Sequence, residues 1–103
     1  MSYFAIDDVA DLLEIPADGT LSKVLYRDDR IRVVGFAFDA GQELTEHTAS
    51  VPVVLEVVAG RFRLVLGDEE RVVGPRSWVH MDAHLPHSVE ALEPSILLLT
   101  LLR

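Results

Sequence analysis

Two histidines, His47 and His87, are the side chains in this sequence best suited to bind a metal or a small molecule. Each comes at the end of a turn, the first after residues 41–46 and the second after residues 81–86, and each lies beside a run rich in β-forming residues. Histidine is the commonest metal ligand among protein side chains. If both runs belong to one small barrel, the two side chains can converge in its interior and hold a divalent metal.

A third protein donor would have to come from elsewhere, because catalytic zinc and iron sites normally have three protein ligands. Glu56 lies in a run that is apolar on both faces, so its carboxylate needs a partner. Glu56 is either a metal ligand or an acid–base group, or it forms a salt bridge to an arginine on a neighbouring strand or a polar contact at a subunit interface. His80 precedes the second turn and is either a third ligand or a strand histidine bonded to a neighbour. We expect His84, at the tip of the turn, to be solvated.

Turn residues divide the chain after residue 19 into nine short runs of β-forming residues, which predicts nine strands. The runs are residues 21–26, 31–38, 43–47, 53–58, 61–66, 71–73, 77–81, 88–92 and 96–102. Alternation is clearest around Phe62, Leu64 and Leu66, which we expect to face the core. Other runs, such as residues 53–58, are apolar on both faces. An outer face must then be covered by the N-terminal segment or by a second subunit.

The first sixteen residues contain the only helical candidate. Asp7 could cap a short helix in which Val9, Leu12 and Leu13 share one side. Pro16 and the turn that follows it would end this helix.

Nine short strands that close on themselves leave few free edges, so the pattern predicts an all-β fold, an antiparallel jelly-roll β-barrel with a short N-terminal helix. We assign residues 1–19 to an N-terminal helical or extended segment and residues 20–103 to the barrel. A chain of 103 residues is long enough for one such core.

The composition excludes several classes of partner. Seventeen acidic against nine basic residues give a net charge of −8, which argues against binding to nucleic acid or to an anionic membrane. There is no cysteine, which excludes disulfides and thiolate chemistry and fits a cytoplasmic protein. We recognise no signal peptide and no run long enough to span a bilayer. Eight arginines against one lysine are typical of a GC-rich bacterial genome.

Two stretches of the chain resemble the motifs of the cupin superfamily. The first cupin motif reads G-x5-H-x-H-x3–4-E-x6-G, and here Gly41, His47 and Gly60 stand in register with it. The second motif is matched more loosely, from Gly74 to Pro86 and His87. The resemblance covers about residues 20–103 and implies the cupin barrel.

The resemblance also shows where this chain departs from metal-binding cupins. In those proteins the second histidine and the glutamate of the first motif are metal ligands, and here these positions hold Ala49 and Val53. Residue matching therefore leaves His47 and His87 as metal ligands.

Two functions are compatible with these residues. The first is a binding module whose barrel holds a small polar or sugar-like ligand, with one divalent metal (Zn, Fe, Mn or Ni) bound weakly or no metal at all. The alternative is a metal-dependent cupin enzyme, an isomerase or oxygenase, that uses His47, His87 and a non-standard third ligand such as Glu56 or His80. The loss of two ligands favours the binding module, and we expect a homodimer.

Overall fold

The computed structural model describes residues 2–103 and contains nine β-strands within that range. The strands are β1 (Thr20–Arg27), β2 (Ile31–Phe38), β3 (Glu43–His47), β4 (Val53–Ala59), β5 (Phe62–Leu66), β6 (Glu69–Val73), β7 (Trp78–Met81), β8 (His87–Ala91) and β9 (Ser95–Leu102). Each strand overlaps one of the nine predicted runs. The turn residues that separate the runs in the sequence also separate the strands in the structure.

The strands form two antiparallel sheets. The five-stranded sheet has the order β1-β2-β9-β4-β7, and the four-stranded sheet has the order β3-β8-β5-β6. Strands that are distant in the chain pair with each other, as β2 does with β9 from Ile31↔Leu102 to Phe38↔Ser95. This arrangement confirms the predicted all-β jelly-roll fold.

The core lies between the two sheets and is built from the inward-facing positions of both. Phe38 of β2 and Phe62 of β5 are fully buried, with their ring centroids 5.4 Å apart in an edge-to-face arrangement. Such aromatic pairs stabilise a core by about 0.5–1.5 kcal/mol beyond the area they bury. Leu64 is also fully buried, and Leu66 packs partly buried against the same cluster, so the alternation predicted for this strand is present.

The predicted N-terminal helix is wrong in extent. The segment forms only a 3₁₀ turn, Val9–Leu12, and its cap is Asp8 rather than Asp7, with the Asp8 carboxylate accepting from the Ala10 amide at 3.0 Å. Leu12 is exposed and Leu13 is buried, so these side chains do not share one side. A short helix is marginal without tertiary support, and here packing favours an extended chain beyond the turn. Met1, part of the predicted segment 1–19, lies outside the described residues.

The N-terminal segment covers part of the outer face of the five-stranded sheet. Leu13 is 2% exposed and packs with Ala37 and Ile96. Gly35 makes room for it, because a Cβ at that position would lie 2.6 Å from a Leu13 methyl carbon. The segment also covers the end of β4, since Val58 and Ala59 pack against the same cluster, whereas Trp78 of β7 is 62% exposed.

The turn between β4 and β5 depends on Gly60. Its φ of +81° is a left-handed conformation, and a Cβ there would overlap the Ser95 hydroxyl and lie 2.6 Å from the Pro94 carbonyl oxygen. Ser95 is fully buried; its Oγ accepts from the Arg61 amide at 3.0 Å and donates to the Glu93 carbonyl at 2.6 Å. This glycine therefore has both a conformational and a packing role.

We expect Gly60→Ala to destabilise the domain more than Gly41→Ala. Both glycines have nearly the same φ, +81° and +82°, so the left-handed conformation should lower the free energy of unfolding of both variants by about 1–2 kcal/mol. At position 41 an added Cβ would meet no heavy atom within 4 Å, whereas at position 60 it would displace Ser95. Denaturant unfolding of the two variants measures the difference. Equal free energies of unfolding would show that the Ser95 contact is unimportant.

Candidate functional site

His47 and His87 lie side by side at one end of the four-stranded sheet. His47 is the last residue of β3 and His87 is the first of β8, and the two are direct partners in the antiparallel pair. Side chains of directly opposed residues project from the same face of a sheet. The structure accordingly brings the two imidazoles together, with ring centroids 4.2 Å apart and an interplanar angle of 60°.

Each histidine is oriented by a backbone carbonyl two residues before it. The Nδ1 atom of His47 lies 2.7 Å from the Thr45 oxygen, and that of His87 lies 2.8 Å from the Leu85 oxygen. Because a carbonyl can only accept, Nδ1 carries the proton in both bonds. In the neutral ring the lone pair is then on Nε2. Metal-binding histidines use the same kind of support, and so do histidines that accept a hydrogen bond from a ligand.

The two rings differ in their exposure to solvent. His87 is 4% exposed, while His47 is exposed. Burial lowers the pKa of His87 below its ordinary value of 6.5; the bond to the Leu85 carbonyl acts in the opposite direction, and a positive charge on His47 would lower it further. At neutral pH the His87 side chain is therefore an uncharged acceptor.

The histidine pair opens into a cleft of about 450 Å³, which we call the histidine cleft. Its walls come from both sheets and from the loop between β3 and β4. The lining side chains are those of Ser22, Arg32, Val34, Phe36, His47, Thr48, Ala49, Ser50, Val51, Val53, His87, Leu99 and Leu101. A mainly apolar cleft with a few convergent polar groups is the usual form of a small-molecule site.

The two positions that lack the expected metal ligands are part of this cleft. Ala49 and Val53 both line it, so the wall that would carry a histidine and a glutamate carries a methyl group and an isopropyl group. The backbone there is held in place, since the Ala49 carbonyl accepts from the His84 amide at 2.7 Å. The backbone of this wall is held by that bond, but its side chains at positions 49 and 53 carry no metal-binding atoms.

Glu56 and His80, the candidates for a third ligand, are not brought to the cleft. Between Val53 and Val57 the strand β4 alternates regularly, and Glu56 is exposed between buried neighbours on the outer face. His80 is also on the outer face, with its side chain 42% exposed and its Nδ1 4.0 Å from the Asp82 carboxylate. No bulge between 53 and 57 reverses the direction of Glu56, so strand geometry keeps both side chains outside. His84 is exposed in the turn.

The donor set does not fit a resident metal of the three-ligand kind. Within residues 2–103 no three His, Cys, Asp or Glu side chains are grouped so that they could share a metal ion. Two imidazole Nε2 atoms are the protein donors that the cleft offers, and catalytic sites normally need one more.

Sequence reasoning missed Arg32, which lines the histidine cleft from β2. Val34 and Phe36 of the same strand also line it, and Phe38 lies in the core. Because side chains alternate along a strand, position 32 continues this inward-facing series. Arg32 could have been identified from the sequence, because it is a charged residue that shares the two-residue alternation of Val34, Phe36 and Phe38.

Comparisons with known proteins find similarity in structure. No protein-family model matches the chain, and no curated protein matches it either. Within residues 2–103 there is no helix of the length and apolar character needed to cross a membrane.

Solved structures with the same architecture are numerous and cover nearly the whole chain. A cupin superfamily protein from Desulfitobacterium hafniense has a TM-score of 0.88 at 20% identity, covering 99% of this chain and 94% of that one. A conserved protein of unknown function from Streptococcus pyogenes has a TM-score of 0.87 at 22% identity, covering 100% and 90%. KdgF from a Halomonas species has a TM-score of 0.77 at 28% identity, covering 82% of each chain. With two face-to-face antiparallel sheets and these structural relatives, the chain has the fold of a small cupin domain.

Proposed function

We propose that this domain is a binding module that holds a small polar ligand in the histidine cleft. The observation that carries the proposal is the histidine pair itself: two imidazoles with ring centroids 4.2 Å apart, each fixed through Nδ1 to a backbone carbonyl. This arrangement leaves two Nε2 acceptors at the wall of a largely apolar cleft. A ligand hydroxyl or amide group that donates to Nε2 matches these acceptors.

A divalent metal would find few protein partners in this cleft. Zinc, iron, manganese or nickel would have the Nε2 atoms of His47 and His87, and the remaining positions would be filled by water or by a ligand. Such an ion would be held weakly and would add little to folding, unlike the ion of a closed four-ligand site. We therefore do not assign a resident metal to the proposed function.

The alternative function is a metal-dependent isomerase or oxygenase. It requires a third protein ligand, and the two candidates, Glu56 and His80, lie on the outer face of the sheet. The donor count thus favours the binding module over the enzyme.

A fragment screen tests the proposed function. We expect small polar molecules to shift the backbone amide resonances of Thr48, Ala49 and Ser50 in two-dimensional NMR spectra at pH 7.5. The double variant His47→Ala/His87→Ala should lose these shifts, because it removes both Nε2 acceptors. The matched control is His80→Ala, a histidine change outside the cleft, which should bind as the parent does. Fragments that bind the double variant and the parent equally would refute the proposal.

We further propose that the domain is a homodimer that associates through the part of the outer face of β4 and β7 that the N-terminal segment leaves uncovered. Val54 of β4 lies half-buried on this face, and Trp78 of β7, directly opposite the exposed Glu56, is 62% exposed. A large exposed aromatic side chain is typical of an interface between subunits.

Light scattering at micromolar concentration should give about twice the chain mass of 11.4 kDa. Trp78→Ser should shift the protein towards the monomer by removing the aromatic contact. Val72→Ser is the control, since Val72 is 51% exposed on the other sheet. A monomeric parent protein, or a Trp78→Ser variant that stays fully dimeric, would contradict this interface.

A further inference from the structure

We infer that the ligand of the histidine cleft carries an anionic group, a carboxylate or a phosphate, bound by Arg32 and Arg27, and hydroxyl groups that reach the histidine pair. The inference rests on the proposed function, since it specifies the ligand of the same cleft.

Arg32 projects from the inner face of the five-stranded sheet, towards the cleft. Its partner across β9 is Leu101, and Leu101 pairs in turn with Val53 of β4. Both Leu101 and Val53 line the histidine cleft. Arg27 is the partner of Arg32 across β1, so the two guanidinium groups extend from the same face of adjacent strands.

A second cleft of about 220 Å³, which we call the arginine cleft, adjoins the first. It is lined by Arg27, Arg32 and Arg103 together with Ser50, Val51 and Leu101. The residues that line both clefts are Arg32, Ser50, Val51 and Leu101. Since Arg32 lines both clefts, a molecule in the histidine cleft lies next to the arginine cleft.

The arginines have no acidic counterpart, although the chain is strongly acidic. The ion pairs within residues 2–103 do not include Arg27 or Arg32, whereas Arg63 pairs with both Glu90 and Glu70. The adjacent acid, Asp28, directs its carboxylate into its own turn, where it accepts from the amides of Arg30 and Ile31 and from the Tyr26 hydroxyl.

Two like charges directly opposed on neighbouring strands destabilise a sheet unless something of opposite charge lies between them. In a chain with net charge −8, Arg27 and Arg32 line the arginine cleft without an ion-pair partner within residues 2–103, and Arg103, whose guanidinium donates to the Asp28 carbonyl at 3.1 Å, lines it as well. Guanidinium groups bind carboxylates and phosphates with two parallel hydrogen bonds, and the Ser50 hydroxyl is a further donor at the same place.

The two clefts together indicate which chemical groups the ligand carries at each end. The arginine cleft offers donors and positive charge, and the histidine pair offers Nε2 acceptors, which match hydroxyl hydrogens. A small hydroxylated acid satisfies both ends, whereas a neutral sugar satisfies only one.

Four small molecules distinguish binding of the anionic group from binding of the hydroxyl groups. Gluconate has a carboxylate and hydroxyls, glycerol 3-phosphate has a phosphate and hydroxyls, glucose has hydroxyls without charge, and hexanoate has a carboxylate without hydroxyls. NMR titration should show gluconate or glycerol 3-phosphate binding at least about tenfold more tightly than glucose and hexanoate, as expected for charge-assisted bonds to arginine. Preference for gluconate identifies the anion as a carboxylate, and preference for glycerol 3-phosphate identifies it as a phosphate.

Arginine variants then assign the charge contact. Arg32→Gln and, independently, Arg27→Gln should weaken binding of the preferred anion about tenfold and weaken binding of glucose much less. Arg61→Gln makes the same charge change at an exposed residue outside both clefts and should have no effect.

The outcomes separate this inference from the proposed function. If glucose binds through the histidine pair but neither anion binds more tightly, or if Arg61→Gln weakens the anion as much as Arg32→Gln does, the anionic ligand is refuted and the binding module stands. If no probe shifts the amides of the histidine cleft, and the fragment screen gives none that depend on His47 and His87, both are refuted.

Discussion

The two-residue alternation of side chains along each strand is the constraint on which both the core and the cleft depend. On β4 it buries Val53, Leu55 and Val57 and turns Glu56 to the outer face. On β2 it places Arg32 on the same side as Phe38, which packs against the opposite sheet. Only every second residue of a strand can therefore reach this cleft. A donor one position earlier or later in the strand points to the opposite face of the sheet.

Strand pairing then determines which inward side chains meet. The pairing of β3 with β8 shifts register between Leu44 and His47, and after this shift His47 is opposite His87. Each ring is held by the carbonyl two residues before it, so the pair needs no support from distant side chains. Burial keeps His87 uncharged at neutral pH, since its pKa is lowered. An uncharged buried imidazole beside an exposed one can receive a hydrogen bond without placing two positive charges in contact.

Much of the fold could be predicted from the sequence, because turn residues and alternation are local signals. The nine strands follow from them, and the spacing from Gly41 to His47 and Gly60 locates one half of the histidine pair. The N-terminal helix was wrong because the position of Leu13 depends on the space above Gly35, which belongs to a strand formed later in the chain. Arg32 was missed although alternation places it inward, because an arginine on a strand is usually solvated. The neighbouring arginines at the cleft mouth depend on strand pairing, which the sequence pattern alone does not specify.

Ala49 and Val53 line the cleft at the two positions where the resemblance to metal-binding cupins implies a histidine and a glutamate. Within residues 2–103 no three His, Cys, Asp or Glu side chains are grouped so that they could share a metal ion. We propose that the site works through two imidazoles without a firmly held metal. The most direct measurement is metal analysis of untagged protein purified without chelator, followed by calorimetric melts with and without EDTA. We expect substoichiometric metal and a melting temperature that EDTA leaves nearly unchanged. Stoichiometric zinc, iron, manganese or nickel, together with a large fall in melting temperature on chelation, would contradict the account.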